Sequence, residues 1–207
     1  MKIKIDKPDH YDNIDNIYKS IWELLRTGND DINSPFHQGY LATHSNSYPS
    51  VRTVVLRNVD INEKIISFHT DFRSKKINEI LNNNNISILF YDHDEKIQIK
   101  CSGRGIINNK NENSNQSWGK TMPFSKKCYI VNEPPGSNSE TPTSGYKKEH
   151  EIELPSEEIL NSGYENFTLV NMEILEIEWL YLYRHGHRRA KFIINNKNLE
   201  KKVWLTP

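Results

Sequence analysis

The densest chemistry in this 207-residue sequence is a run of cations around one serine, Arg73-Ser74-Lys75-Lys76, directly after the strand-like segment Ile66 to Thr70. Ser74 is a good N-cap, so the sequence predicts a helix beginning there, with Ile77, Ile80 and Leu81 on one face. Three cations at a helix N-terminus oppose the macrodipole, which is already positive at that end. An anion would relieve the conflict, because backbone N–H groups, the Ser74 hydroxyl and the cations together form a phosphate site. The alternative is an exposed basic turn, the usual state of Lys and Arg. A second basic segment, Ser50 to Arg57, is rich in β-branched residues and reads as a strand, with Arg52 and Arg57 on opposite faces.

Elements to hold these residues follow from periodicity. Ile14, Ile17, Tyr18, Ile21, Leu24 and Leu25 recur at helical spacing, and Gly28 is placed to stop that helix. Strands are expected at His37–His44, Val51–Asn58, Lys64–Thr70, Ile86–Tyr91, Lys96–Ile107, Phe167–Tyr183, Arg188–Ile194 and Lys201–Leu205. Residues 44–49 have the composition of a hairpin turn. The Asn-rich tracts at 82–85 and 108–117 read as turns or surface loops, and 132–150 as a long loop that is functional or disordered. Too few helical crossovers are present for a doubly wound sheet. The pattern is mainly β (α+β), a Greek-key antiparallel barrel with a few peripheral helices. The whole of 1–207 reads as one domain, with 1–34 as an N-terminal helical segment.

Composition narrows the function classes. Lys+Arg and Asp+Glu both number 27, and this zero net charge argues against a nucleic-acid-coating protein or a polybasic membrane binder. Cys101 and Cys128 do not make a disulfide framework, which points to a reducing compartment. The first twelve residues lack the apolar core of a leader, and no apolar run approaches the roughly 20 residues that span a bilayer. A soluble, cytoplasmic protein is expected. His69, His93, His185 and His187 do not have metal-motif spacing, so no metal site is expected. Trp179, Tyr181, Tyr183 and Phe192 read as one wall of a strand pair rather than ligand-stacking residues. Gly103-Arg-Gly105 reads as a barrel bend, and Cys101 as a small core residue.

The segments from Arg52 to Arg57 and from Phe68 to Lys76 resemble the FMN signature of pyridoxamine 5'-phosphate oxidase-like flavoproteins. The resemblance extends to Gln98 ahead of Gly103, to the basic strand His187 to Phe192 and to the closing Trp204-Leu-Thr-Pro207. Residues 118–136, ending in Glu133-Pro-Pro-Gly, resemble a subgroup known only as oxidase-related. The resemblance covers about residues 35–207 and implies a split β-barrel that binds FMN as a homodimer. It implies that Arg52, Ser74, Lys75 and Lys76 hold the FMN phosphate. Val54, Val55, His69 and Thr70 would line the ribityl chain and the ring edge, and Gln98 would hydrogen-bond the ring. Arg189 or Lys191 would reach the cofactor bound mainly by the other subunit. Arg57, His187 and Arg189 would border the substrate side.

The departures concern the reaction. Lys191 stands where the family pattern has Arg, so a bidentate contact becomes a point charge. Arg57 stands where a true oxidase has a substrate-contacting Lys. The oxidase's substrate-phosphate residues have no counterpart at the right spacing, Trp118, Lys120, Ser125 and Lys126 being nearest. An FMN-dependent oxidoreductase acting on a small anionic or heteroaromatic substrate is one reading. A flavin-binding sensor, store or interaction module without turnover is the other. A split barrel for another ligand, such as haem-degradation substrates or a deazaflavin, is a third.

Overall fold

The computed structural model describes residues 9–207, so the reading of the first residues as no leader lies mostly outside the described residues. Helix α1, Ile14–Asp30, opens under an Asn13 cap whose side chain accepts from the amides of Asp15 and Asn16. Its face Ile17, Ile21, Trp22 and Leu25 is buried in the main core. Gly28 does not stop this helix. It sits inside it, where a Cβ would lie 2.4 Å from the Phe36 carbonyl oxygen, so glycine is needed for close packing and Asp31 is the C-cap.

Eight strands follow: β1 Gln38–His44, β2 Pro49–Asp60, β3 Ile65–Asp71, β4 Asn85–Asp92, β5 Ile97–Asn108, β6 Phe167–Tyr181, β7 Arg188–Asn195 and β8 Asn198–Leu205. All pairings are antiparallel, in the order β3-β2-β1-β4-β5-β6-β7-β8, and β3 also pairs with β6. Six strands therefore close into a barrel. β4 returns beside β1 after the β1–β2–β3 meander, which is a Greek key. The barrel splits along one edge of β6, where Phe167 to Glu173 pair with β3 and Glu176 to Tyr181 pair with β7. The expected split barrel is what forms.

Inward residues alternate along each strand, for example Ile97, Ile99 and Cys101 on β5 and Ile177, Trp179 and Tyr181 on β6. Burying each such large apolar side chain contributes roughly 1.5–3 kcal/mol. Trp179, Tyr181 and Phe192 are core, as the period-2 pattern indicated. At Gly103 the β5–β6 register shifts and a Cβ would fall 1.9 Å from the Glu173 carbonyl oxygen, so the chain bends there as expected. Among the described residues no helix is long and apolar enough to cross a membrane.

Helix α2, Lys75–Asn82, links β3 to β4 and sends Ile77 and Ile80 into the core, while Leu81 is exposed rather than on that face. The Asn-rich 108–117 tract is not all loop. Asn111 caps helix α3, Glu112–Lys120, in a capping box with Ser114. The 132–150 segment stays irregular up to a short helix at Lys148–Ile152.

Candidate functional site

The cations around Ser74 divide into separate roles. β3 ends at Asp71, and Ser74 takes the N-cap position of α2 with extended backbone. Its hydroxyl does not cap the helix but accepts from Lys76 Nζ at 2.7 Å, and Thr70 Oγ1 accepts from the same ammonium at 2.9 Å. Thr70 and Ser74 are buried. Burial, followed by the nearby Arg52 charge, lowers the Lys76 pKa, with Asp71 and Glu79 opposing. The hydrogen-bond partners of Lys76 are thus two neutral oxygens at the N-terminal end of α2, where the Ile77 amide already donates to the Ser74 carbonyl.

Arg52 borders this corner and is oriented by a carboxylate. Its Nη2 lies 2.7 Å from Glu79 Oε2, and it also donates to Thr43 Oγ1 and Ser50. Burial acts to raise the Glu79 pKa, but hydrogen bonds from Thr43 and Arg52 outweigh it and hold the group below the usual carboxylate range. Lys75 is exposed and lines a hollow with His44, Asn46 and Asn78. Arg73 faces away from the corner, gripped by Asp71.

A second group lines a cleft of about 550 Å³ between β2, β3 and α3. Arg57 stands where the β2–β3 register shifts, with Leu56 opposite Phe68 and Asn58 opposite Ser67. A bulge at that point re-aims a side chain, and Arg57 lines the cleft beside His69. His69 Nε2 lies 2.7 Å from Ser117 Oγ on α3. Burial, reinforced by Arg57, lowers the His69 pKa to about 4, so the ring is neutral near pH 7. Asn113, Gln116, Ser117 and Lys120 of α3 form the facing wall. Sequence reasoning named Lys120 among the nearest substrate-phosphate counterparts but missed Asn113, Gln116 and Ser117, because their polar, Asn-rich helix has no apolar period. The Asn111/Ser114 capping box was the available signal.

A third group lies on the outer sheet face. Gln98 is opposite Leu180, which is opposite Arg189 in the next strand. Arg189 Nη2 lies 2.5 Å from Glu178 Oε2, a carboxylate that also pairs with Lys100, and Lys191 Nζ lies 3.1 Å from Glu176. His187 Nδ1 accepts from the Tyr183 amide at 2.9 Å. Val55 is half-buried on the outward face of β2, but the Val54 side chain belongs to the core, so only its backbone can line a ligand. The fold therefore gathers Arg52, Thr70, Ser74 and Lys76 in one corner, and Arg57 with His69 in a cleft. It leaves Gln98, Arg189 and Lys191 on β5 and β7, beyond the point where β6 exchanges β3 for β7.

Residues 20–109 match the family described as "Pyridoxamine 5'-phosphate oxidase, FMN-binding domain". A curated relative named pyridoxine/pyridoxamine 5'-phosphate oxidase, from Psychrobacter cryohalolentis, is 34% identical over 84 residues. That stretch is 41% of this chain and 38% of the relative, so it spans well under half of that protein's length. The fold is similar to that of a pyridoxamine 5'-phosphate oxidase-related, FMN binding protein from Nostoc punctiforme. The TM-score is 0.71 and the identity 18%, covering 91% of this chain and 96% of that one. It is also similar to PhzG from Burkholderia lata, solved with tetrahydrophenazine-1-carboxylic acid. There the TM-score is 0.65 and the identity 19%, covering 97% and 98% of the two chains.

Proposed function

We propose that this chain, which has the fold of the pyridoxamine 5'-phosphate oxidase-like split barrels and matches their FMN-binding family over residues 20–109, is an FMN-dependent oxidoreductase acting as a homodimer. The observation that carries the reading is Lys76. Its ammonium is held by Thr70 and Ser74 hydroxyls at the N-terminal end of α2 and near the Arg52 guanidinium, an arrangement that favours a bound phosphate. The residues present therefore fit the phosphate end of FMN.

In this reading Arg52, Ser74, Lys75 and Lys76 bind the phosphate. Thr70, His69 and Val55, with the Val54 backbone, border the ribityl chain and ring edge, and Gln98 hydrogen-bonds the ring. Bound FMN would supply the hydride chemistry, while the protein supplies orientation and electrostatics. Arg57 places a cation at the cleft, and neutral His69, fixed by Ser117, offers a hydrogen-bond partner without adding charge. Arg57, with His187 and Arg189, would select a small anionic or heteroaromatic substrate. The curated relative's name supports pyridoxine or pyridoxamine 5'-phosphate as the first substrates to try. Arg189 or Lys191 would reach the cofactor of a second copy, which explains why one chain does not bring them to the anion corner. The dimer would have two equivalent sites, and the protein would work in the cytoplasm.

The test is the visible absorbance of freshly purified protein, followed by identification of any chromophore released on denaturation. A two-band flavin spectrum with FMN released supports the reading. A colourless protein that does not take up added FMN overturns it. Steady-state turnover and reoxidation by oxygen then separate an oxidoreductase from a flavin-binding module.

A further inference from the structure

The turn bearing the anion corner is fastened on its other side to the root of a long exposed loop. Buried Asp71 accepts from Arg73 three times, from the backbone N at 2.8 Å, Nε at 3.0 Å and Nη2 at 2.7 Å. The same guanidinium donates through Nη1 to the Asn132 carbonyl at 2.7 Å and through Nη2 to the Val131 carbonyl at 3.0 Å. A second tie runs beside it, from the Phe72 amide to the Asn166 carbonyl at 2.7 Å, and from Asn166 Nδ2 to the Tyr129 carbonyl at 2.8 Å. Residues 132–145 are exposed, yet the loop closes back on its root. Gly145, at φ +76°, lies against Val131, and Lys127 Nζ sits 4.7 Å from the Tyr146 ring centroid.

We propose that Arg73 couples anion occupancy of the Thr70–Lys76 corner to the conformation of the 132–145 loop. The inference rests on the reading of that corner as the FMN phosphate site. Arg73 is joined directly to Ser74, and Asp71 holds its guanidinium fork in one orientation, so backbone restriction at Ser74 is passed to the fork. The planar fork engages a carboxylate and two carbonyls at once, which a flexible lysine cannot do. A ligand that stiffens the turn therefore stiffens the two carbonyls at the loop root. Coupling between two sites is reciprocal, so an ordered loop in turn raises affinity for the phosphate. Asp71 alone would suffice to neutralise Arg73. The two further carbonyl bonds are what make it a link.

Hydrogen exchange of the 131–146 region, followed by mass spectrometry on the full chain, tests the coupling. Flavin fluorescence in the same samples reports whether FMN is bound. The wild type is compared stripped of flavin and with added FMN, alongside Arg73→Lys and a variant with residues 133–144 replaced by a short Gly-Ser link. FMN is expected to slow exchange in 131–146 about threefold or more in the wild type, from ordering of two carbonyl hydrogen bonds. Arg73→Lys is expected to bind FMN without that slowing. The shortened-loop variant is expected to bind FMN about three- to tenfold more weakly by reciprocity. Bound FMN with unchanged exchange in the wild type overturns the coupling but leaves the FMN reading standing. So does a loop response that survives in Arg73→Lys, or unaltered affinity in the shortened-loop variant. Failure of the wild type to bind either FMN or inorganic phosphate overturns both.

Discussion

Ser117 Oγ lies 2.7 Å from His69 Nε2, joining helix α3 to strand β3 across 48 residues of sequence. The bond lies on one side of the cleft containing Arg57 and involves a half-buried histidine that stays neutral, with its pKa lowered by desolvation, then by Arg57, to about 4 from the usual 6.5. In the unfolded chain His69 protonates near its ordinary pKa, whereas in the folded protein it does not until much lower pH. Stability from this group is therefore complete above about pH 6.5 and is lost as pH falls toward 4, by about 3 kcal/mol at most. Denaturant titrations from pH 7.5 to 4.5 are expected to show that decline, and His69→Gln to flatten it. An equal slope in both proteins would contradict the burial argument.

Lys76 and Arg52 are expected to separate ligand binding from folding. Lys76→Met removes an ammonium held only by hydroxyls, so FMN affinity is expected to fall about 10- to 100-fold, the loss of a charged hydrogen bond. Its thermal stability should change little. Arg52→Ala leaves Glu79, whose side chain is only 13% exposed, without its cation, and is expected to cost about 1–3 kcal/mol of stability as well as affinity. Fluorescence titration and thermal melts on both variants check the contrast, and equal destabilisation by the two would count against it.

Gly103 is expected to tolerate no side chain. A Cβ there would lie 1.9 Å from the Glu173 carbonyl oxygen, a backbone atom of the paired strand that cannot swing aside. Gly103→Ala should cost about 1–3 kcal/mol or prevent folding, whereas Gly119→Ala, where a Cβ meets nothing within 4 Å, should be harmless. Expression level and melting temperature of the pair read this directly.

The proposed homodimer has a simple measurement. Sedimentation velocity at low micromolar protein is expected to give a species of twice the 24.3 kDa chain mass. Arg189→Glu, which reverses a charge on the outer sheet face, should weaken flavin binding while leaving the barrel folded. A monomer that retains FMN at full affinity would contradict the shared site.

Local features were legible along the chain. Alternating β-branched residues marked β2, helical spacing marked α1, and Ser74 with its neighbouring lysines lay close enough along the chain for their proximity to survive folding. Gly28 and Gly103 show where that reading stops and succeeds. Both are punctuation in sequence, but one serves packing inside a helix and the other a register shift between strands. Tertiary structure alone decided the long-range partners: Glu79 for Arg52, Asp71 and the loop root for Arg73, Ser117 for His69, and Glu178 for Arg189. It also placed Arg57 at a bulge and moved Val54 into the core. Periodicity fixes which face a residue takes within its own element, whereas partners are chosen by strand register and by which elements pack together. Those choices depend on contacts between residues far apart in the chain, which no local pattern encodes.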